Sequence, residues 1–292
     1  MKNIIQLIRM KSWVKNLLIL TPLFFSMNFF HINLALLSIS AMIIFSLACS
    51  CIYIINDTCD IEQDKIHPRK KHRPLASGAI SIKFGISTII IFLCIVIVAS
   101  LFLSPLFGVL CLSYLILNVL YSFYLKHIAI IDITIIAVNF LIRILIGCVV
   151  INVYPSQWIV LVTFFLSLFL GFTKRKSELD ILGENAIKHR KVLKEYSREA
   201  LSGFKYISAT ITLISYIFYS INPVVIETFG SDKVIYSSFF VTIGLFRFIQ
   251  LSESNNSEKE GDPTTLLMKD HFLQLILLIW VIYLGLIIYF GL

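Results

Sequence analysis

Asp57, Asp60, Glu62 and Asp64 fall within eight consecutive positions, directly after a long apolar stretch. On a helix, residues three and four apart share a face, so Asp57, Asp60 and Asp64 line one side, bordered by Asn56, while Glu62 points away. Three like charges on one face repel, so a cation is expected among them. Hard oxygens suit Mg²⁺, which usually takes one or two carboxylates and completes its shell with phosphate oxygens and water. Asp57, Asp60 and Asp64 are therefore the candidate metal ligands. Lys65, His67, Pro68, Arg69, Lys70, Lys71, His72, Arg73 and Pro74 follow. Basic groups beside a carboxylate-bound metal are what a polyphosphate needs, because the metal does not neutralise all its charge. A solvated helix end is the competing reading of the acids, and a topological signal that of the basic run.

Other polar groups sit inside or at the ends of apolar stretches. Asp132, Asn139 and Arg143 recur at seven and four residues, which places them on one helical stripe. Intramembrane ionisable groups are costly and usually face the bundle interior. Asp132 lies near a helix end, where a site role is plausible, and Arg143 lies about 16 Å deeper, with site and structural roles equally open. Asn118 and Tyr121 are one turn apart near Lys126 and suit contact with a phosphate, although Tyr121 also fits an interfacial aromatic. The run Lys174-Arg175-Lys176-Ser177-Glu178-Leu179-Asp180 flanks another apolar stretch.

The elements that must position these groups follow from composition. The 292 residues are 58% hydrophobic and 14% charged, with 24 Phe and a mean hydropathy of +0.88, which excludes an ordinary soluble domain. A bilayer-crossing helix needs roughly 20 mostly apolar residues. That template fits near 13–30, 34–56, 83–103, 105–125, 128–150, 157–173, 204–222, 234–251 and 272–291. The expected fold is all-α, a polytopic membrane bundle of about nine transmembrane helices. Residues 1–292 form a single membrane-embedded catalytic domain, with cytoplasmic loops at about 57–82, 174–203 and 252–271. The net charge of +8 concentrates in those loops, so it reads as orientation with the N-terminus inside, and not as nucleic-acid binding. No cleavable signal peptide is evident. The six cysteines lack zinc spacing and read as small apolar packing residues. Residues 253–263 read as a polar connector without chemistry.

The NDxxDxxxD pattern at Asn56, Asp57, Asp60 and Asp64 resembles the first signature of the UbiA-type prenyltransferase superfamily. Most members carry a second Asp-rich motif after the sixth helix, whereas this chain has Lys174, Arg175, Glu178 and Leu179 there. That KRxxEL pattern is similar to the decaprenyl-phosphate phosphoribosyltransferase branch. So are Lys15 and Asn16 within Trp13-Val14-Lys15-Asn16, the stretch Asp64 to Pro74 with His67, Pro68 and Arg73, Tyr121-Ser122-Phe123 before Lys126-His127, Leu141-Ile142-Arg143, and Ser156-Gln157-Trp158.

The resemblance implies phosphoribosyl diphosphate as donor, a polyprenyl phosphate lipid as acceptor, and Mg²⁺ as cofactor. It implies a bacterial inner-membrane location with the site facing the cytoplasm, and a role in cell-envelope biosynthesis. Asp57, Asp60, Lys174, Arg175 and Glu178 are the expected catalytic set. Lys15, Asn16, Asn56, Arg73, Asn118, Tyr121, Lys126, Asp132 and Arg143 are the expected substrate contacts. The donor's 5-phosphate gives a reason for Lys174 and Arg175 where relatives place acids, and Glu178 would orient a ribose hydroxyl or balance the cationic pair. A prenyl transferase acting on an aromatic acceptor is the nearest alternative, and a transporter the alternative of another class. Assembly of several copies is left open.

Overall fold

A computed structural model describes residues 2–66, 70–183, 190–254 and 263–291. The described residues form helices joined by turns and short irregular segments, with no strand among them. The chain opens with α1 (Lys2–Leu7), a 3-10 helix (Met10–Leu20) and α2 (Thr21–Phe25). Then come α3 (Ile32–Cys59), α4 (Ile61–Ile66), α5 (Ile82–Leu103), α6 (Pro105–Phe123) and α7 (Ile131–Val150). The remainder is α8 (Gln157–Leu182), α9 (Arg198–Ser220), α10 (Pro223–Phe229), α11 (Ser238–Glu253), α12 (Pro263–Lys269) and α13 (His271–Phe290).

Among the described residues, eight helices are long and apolar enough to cross a membrane, corresponding to the second through ninth predicted spans. Helix is the only single-segment way to satisfy every backbone group in hydrocarbon. The chain is thus a multi-pass membrane protein. Exposed side chains on these helices are largely apolar, as at Ile97, Leu101 and Phe102, which suits contact with lipid.

The first predicted span takes a different form. Residues 10–20 are wound as a 3-10 helix that runs directly into α2, where Pro22 has no N–H to give to an α-helical bond. At about 2.0 Å per residue for its 11 residues and about 1.5 Å for the 5 that follow, the segment covers about 30 Å, a hydrocarbon thickness.

Several helices overrun their predicted ends. Helix α8 continues to Leu182 and α9 starts at Arg198, so much of the loop expected at 174–203 is helical. Lys, Arg, Glu and Leu are good helix formers, and a backbone already bonded in the membrane continues into water until something stops it. At α8 the stop is Gly183, at φ +50.

The chain folds as two compact units. One is Met1–Tyr124 with Ile142–Pro155; the other is Leu125–Leu141 with Ser156–Leu292. In the first, α3 packs on α5, α6 and the 3-10 helix. Gly147 permits close approach there: a Cβ would lie 2.2 Å from the Ile19 carbonyl oxygen and 2.9 Å from Pro22. Gly147→Ala is therefore expected to lower the melting temperature of the detergent-solubilised protein by several degrees, the backbone oxygen having no rotamer by which to escape. An unchanged melting curve would refute that packing.

In the second unit α8 packs along α9, and α11 on α9 and α13. Asp270 caps α13 through Leu273 N–H at 2.7 Å and ties it to α11 by a two-point pair with Arg247 at 3.2 and 2.6 Å. Ser197 likewise caps α9.

Candidate active site

The acidic motif sits where α3 leaves the apolar region. The helix breaks at Asp60, yet the backbone bonds Asp60 N–H to Asn56 O and Asp64 N–H to Asp60 O carry the register across. Asp57 and Asp64 consequently face the same way, and both are buried. A protein cation faces both: one nitrogen, Nη1 of Arg73, donates to Asp57 Oδ1 at 2.9 Å and to Asp64 Oδ2 at 2.7 Å. Arg9 Nη2 also donates to Asp57 Oδ1, its guanidinium lying 4.8 Å over the Tyr53 ring, and Lys70 approaches Asp64 at 3.9 Å. Arg9 adopts φ 49 between α1 and the 3-10 helix, which turns the chain back toward α3. Asp60 and Asn56 are half-buried beside this pair, and Glu62 is a solvated surface acid paired with Lys65.

Among the described residues, no three His, Cys, Asp or Glu side chains converge closely enough to hold an ion alone. Asp57 and Asp64 nevertheless offer two buried carboxylates bridged by a single nitrogen. That donor set fits a Mg²⁺ that takes one or two carboxylates and draws its other ligands from phosphate and water.

The second cluster gathers the start of α7, the end of α8 and the segment before α9. Asp132 is fully buried and accepts from Arg175 Nε at 2.8 Å and from the Tyr196 hydroxyl at 2.8 Å. Arg175 Nη1 reaches Glu178 at 3.2 and 3.3 Å, and Arg190 lies 3.8 Å from Asp132 and 3.7 Å from Glu178. Tyr196 also accepts the Ile130 N–H, pinning a β-branched residue at φ 69, an unfavourable conformation held only by its surroundings. Burial, with the Asp132 carboxylate adding to it, pushes the Tyr196 phenol above its usual range, so it stays a donor at neutral pH.

The three basic residues at the end of α8 diverge. Arg175 turns inward, Lys176 pairs with Glu253 together with the buried Lys205, and Lys174 is half-buried on the remaining face.

Deeper in the first unit, Arg143 Nε donates to Asn16 Oδ1 at 2.8 Å, and Asn16 Nδ2 donates to Ser46 Oγ at 2.8 Å. The guanidinium lies 5.3 Å from the Phe45 ring and 5.5 Å from Tyr114. Arg143 thus joins the 3-10 helix to α3, α6 and its own helix. The buried stripe predicted for Asp132, Asn139 and Arg143 is present, with its two ends serving different clusters.

Asn118 Nδ2 bonds back to the Tyr114 carbonyl at 2.8 Å; it and Tyr121 are half-buried on α6. Lys15 is exposed and Lys126 half-buried. His67, Pro68, Arg69 and residues 255–262 of the predicted connector lie outside the described residues. Arg9, Arg190, Tyr196, Lys205 and Glu253 had not been singled out from the sequence. Lys205, one residue into a predicted apolar span, carried the one local signal.

The model of the UbiA prenyltransferase family matches residues 18–275. A decaprenyl-phosphate phosphoribosyltransferase of Mycolicibacterium smegmatis is 30% identical, covering 99% of this chain and 93% of that one. Its counterpart in Mycobacterium tuberculosis is 27% identical over 99% and 95%. Among solved structures, a UbiA homolog from Archaeoglobus fulgidus bound to GPP and Mg²⁺ superposes with a TM-score of 0.69 at 16% identity, over 98% of this chain and 99% of that one. A family model spanning most of the sequence, relatives alike over almost all of it and the same helical fold place one conclusion beyond the motif alone: the chain belongs to the UbiA prenyltransferase family.

Proposed function

We propose that the chain, acting as one catalytic domain over residues 1–292, transfers 5-phosphoribose from 5-phosphoribosyl 1-diphosphate to a polyprenyl phosphate of decaprenyl type. The products are polyprenylphosphoryl-5-phosphoribose and diphosphate. The supporting observation is the cluster around Arg175: the end of α8 builds a centre of guanidinium and carboxylate groups where most members carry a second acidic motif. The near full-length likeness to relatives bearing the phosphoribosyltransferase name points the same way.

Asp57 and Asp64, with Asp60 beside them, would hold Mg²⁺. When bound, it supplies Lewis-acid neutralisation of the departing diphosphate. Arg73 already bridges the two carboxylates and, with Arg9, is placed to take phosphate oxygens that the metal leaves uncovered. These contacts strengthen as charge moves onto the leaving group, which is what lowers the barrier. The acceptor phosphate is already an anion at neutral pH, so the protein's task is to position it, with little need of a general base. Glu178, engaged by Arg175, balances charge and is not assigned as a base. The lysine and arginine bias of the loops supports a bacterial inner-membrane enzyme whose site opens to the cytoplasm.

The test incubates purified, detergent-solubilised enzyme and Mg²⁺ with radiolabelled phosphoribosyl diphosphate and polyprenyl phosphates of several lengths, and counts label in the organic phase. Transfer is expected, and it disappears when the metal is chelated. Turnover of a prenyl diphosphate with an aromatic acceptor, and none of phosphoribosyl diphosphate, would overturn the proposal and leave the family assignment standing.

A further inference from the structure

Lys205 lies in α9, about 10 Å along the helix from its start at Arg198, and its side chain is only 1% exposed. A methionine or leucine would fill that space without taking a charge out of water, so a buried ammonium in a membrane helix points to a task beyond packing. Its hydrogen-bond partner is the Glu253 carboxylate, and the Tyr206 ring lies 4.7 Å away. Lys176, 14% exposed on α8, donates to the other oxygen of the same carboxylate. All three residues belong to one compact unit.

One carboxylate thus serves two ammonium groups, and the trio carries one positive charge in excess. An ammonium has three N–H donors, and among the described residues each lysine gives one hydrogen bond to Glu253. Asp180, at the end of α8, is already held by Arg198 at 3.0 Å. Glu253 is the partner best able to leave: it is the last residue of α11, where the helix dipole disfavours a carboxylate, and it is 34% exposed, so it can turn into water. A phosphate monoester carries about −1.5 to −2 charges at pH 7 and three acceptor oxygens, which matches two ammonium groups where a single carboxylate falls short.

We infer that Lys205 and Lys176 form a binding site for a phosphate monoester, with Glu253 as the carboxylate that stands in for it. The ends of α8 and α11 and the first turns of α9 place the site at the edge of the apolar region, open to a lipid phosphate headgroup or to free phosphate.

The test follows the melting temperature of the full-length, detergent-solubilised protein as inorganic phosphate is titrated at constant ionic strength, and separately in micelles carrying phosphatidic acid, with phosphatidylcholine as the comparison. Wild type is set beside Lys205→Met, Glu253→Gln and the double variant. Without phosphate, Glu253→Gln is expected to melt below wild type; it binds phosphate about 10-fold more tightly and regains stability as phosphate is added. Lys205→Met, in which Glu253 keeps Lys176, stays testable even if Glu253→Gln does not fold. Its phosphate binding is expected to weaken about 10-fold, a difference that separates this site from phosphate held elsewhere on the molecule, and the double variant loses the rescue. Phosphatidic acid acting where inorganic phosphate does not would assign the site to a lipid headgroup, and equal action would assign it to the soluble anion. A Glu253→Gln protein that responds to phosphate no more than to chloride would overturn the inference and leave the trio as a tie between α8, α9 and α11. So would a Lys205→Met protein that binds phosphate as wild type does.

Discussion

Asp57→Asn is expected to reduce label transfer by about 1,000-fold or more while leaving a folded protein. Asparagine matches aspartate in shape, so the replacement removes charge and one anionic oxygen with little change in packing. Asp57 is buried and is the acceptor that Arg9 and Arg73 share, so it is the acid most constrained in direction. If it holds the cation that receives the departing diphosphate, no neighbour replaces it: Asp64 keeps Arg73 but lies about two helical turns further on. The two arginines left facing a neutral amide are each about a quarter exposed and remain solvated, so the stability loss is about 1–2 kcal/mol. Transfer assays beside thermal melting separate the two effects. Glu62→Gln, at an exposed acid paired with Lys65, is the comparison and should be silent. Near-wild-type transfer by Asp57→Asn would remove the acidic motif from the chemistry.

The largest stability effect is expected from Asp132→Asn. Asp132 is completely buried and Arg175 is 2% exposed, so neutralising the carboxylate takes its buried counter-charge from a guanidinium that water does not reach, and leaves it the partly exposed Glu178. Breaking one side of such a pair costs about 3–5 kcal/mol. That is a large share of the roughly 5–15 kcal/mol by which a protein stays folded. The same change leaves one oxygen where the carboxylate had two, so Arg175 and the Tyr196 hydroxyl, which holds Ile130 in its strained backbone conformation, compete for a single acceptor. The double variant Asp132→Leu, Arg175→Met should recover much of the lost melting temperature, because apolar replacement of a buried ion pair is often nearly neutral. It should not recover transfer, since the charged cluster at the end of α8 that carries the proposed function is gone. A single variant that melts like wild type would show that water enters the cluster. A double variant that is active would show that the cluster has only a structural role.

The acidic motif was legible in the residues because its spacing of three and four is the helical period itself, and charge repulsion then required a cation. That Arg9 joins those acids was not legible: it lies 48 residues from Asp57 and arrives through a left-handed backbone turn that no periodicity announces. The basic run at the end of α8 was visible, but its division into an enclosed Arg175, a Lys176 paired with Glu253 and a half-buried Lys174 depends on what packs against each face of the helix. The first predicted span was read as an α-helix from its hydropathy, which measures affinity for lipid and is blind to the 3-10 winding that Pro22 and the Ile19–Gly147 approach accompany.

By itself the sequence determined an all-helical membrane protein with an acidic, metal-suited motif at the end of its second span. Runs of some 20 apolar residues leave the backbone one way to bond in hydrocarbon, and a short-range pattern places the acids. Only the tertiary structure decided which charges meet: Arg73 and Arg9 on Asp57, Arg175 and Tyr196 on Asp132, and Arg190, not Arg175, turned toward solvent. Such pairings join residues 16 to 64 positions apart, and their energies depend on burial and direction, which are set by packing and not by local order along the chain.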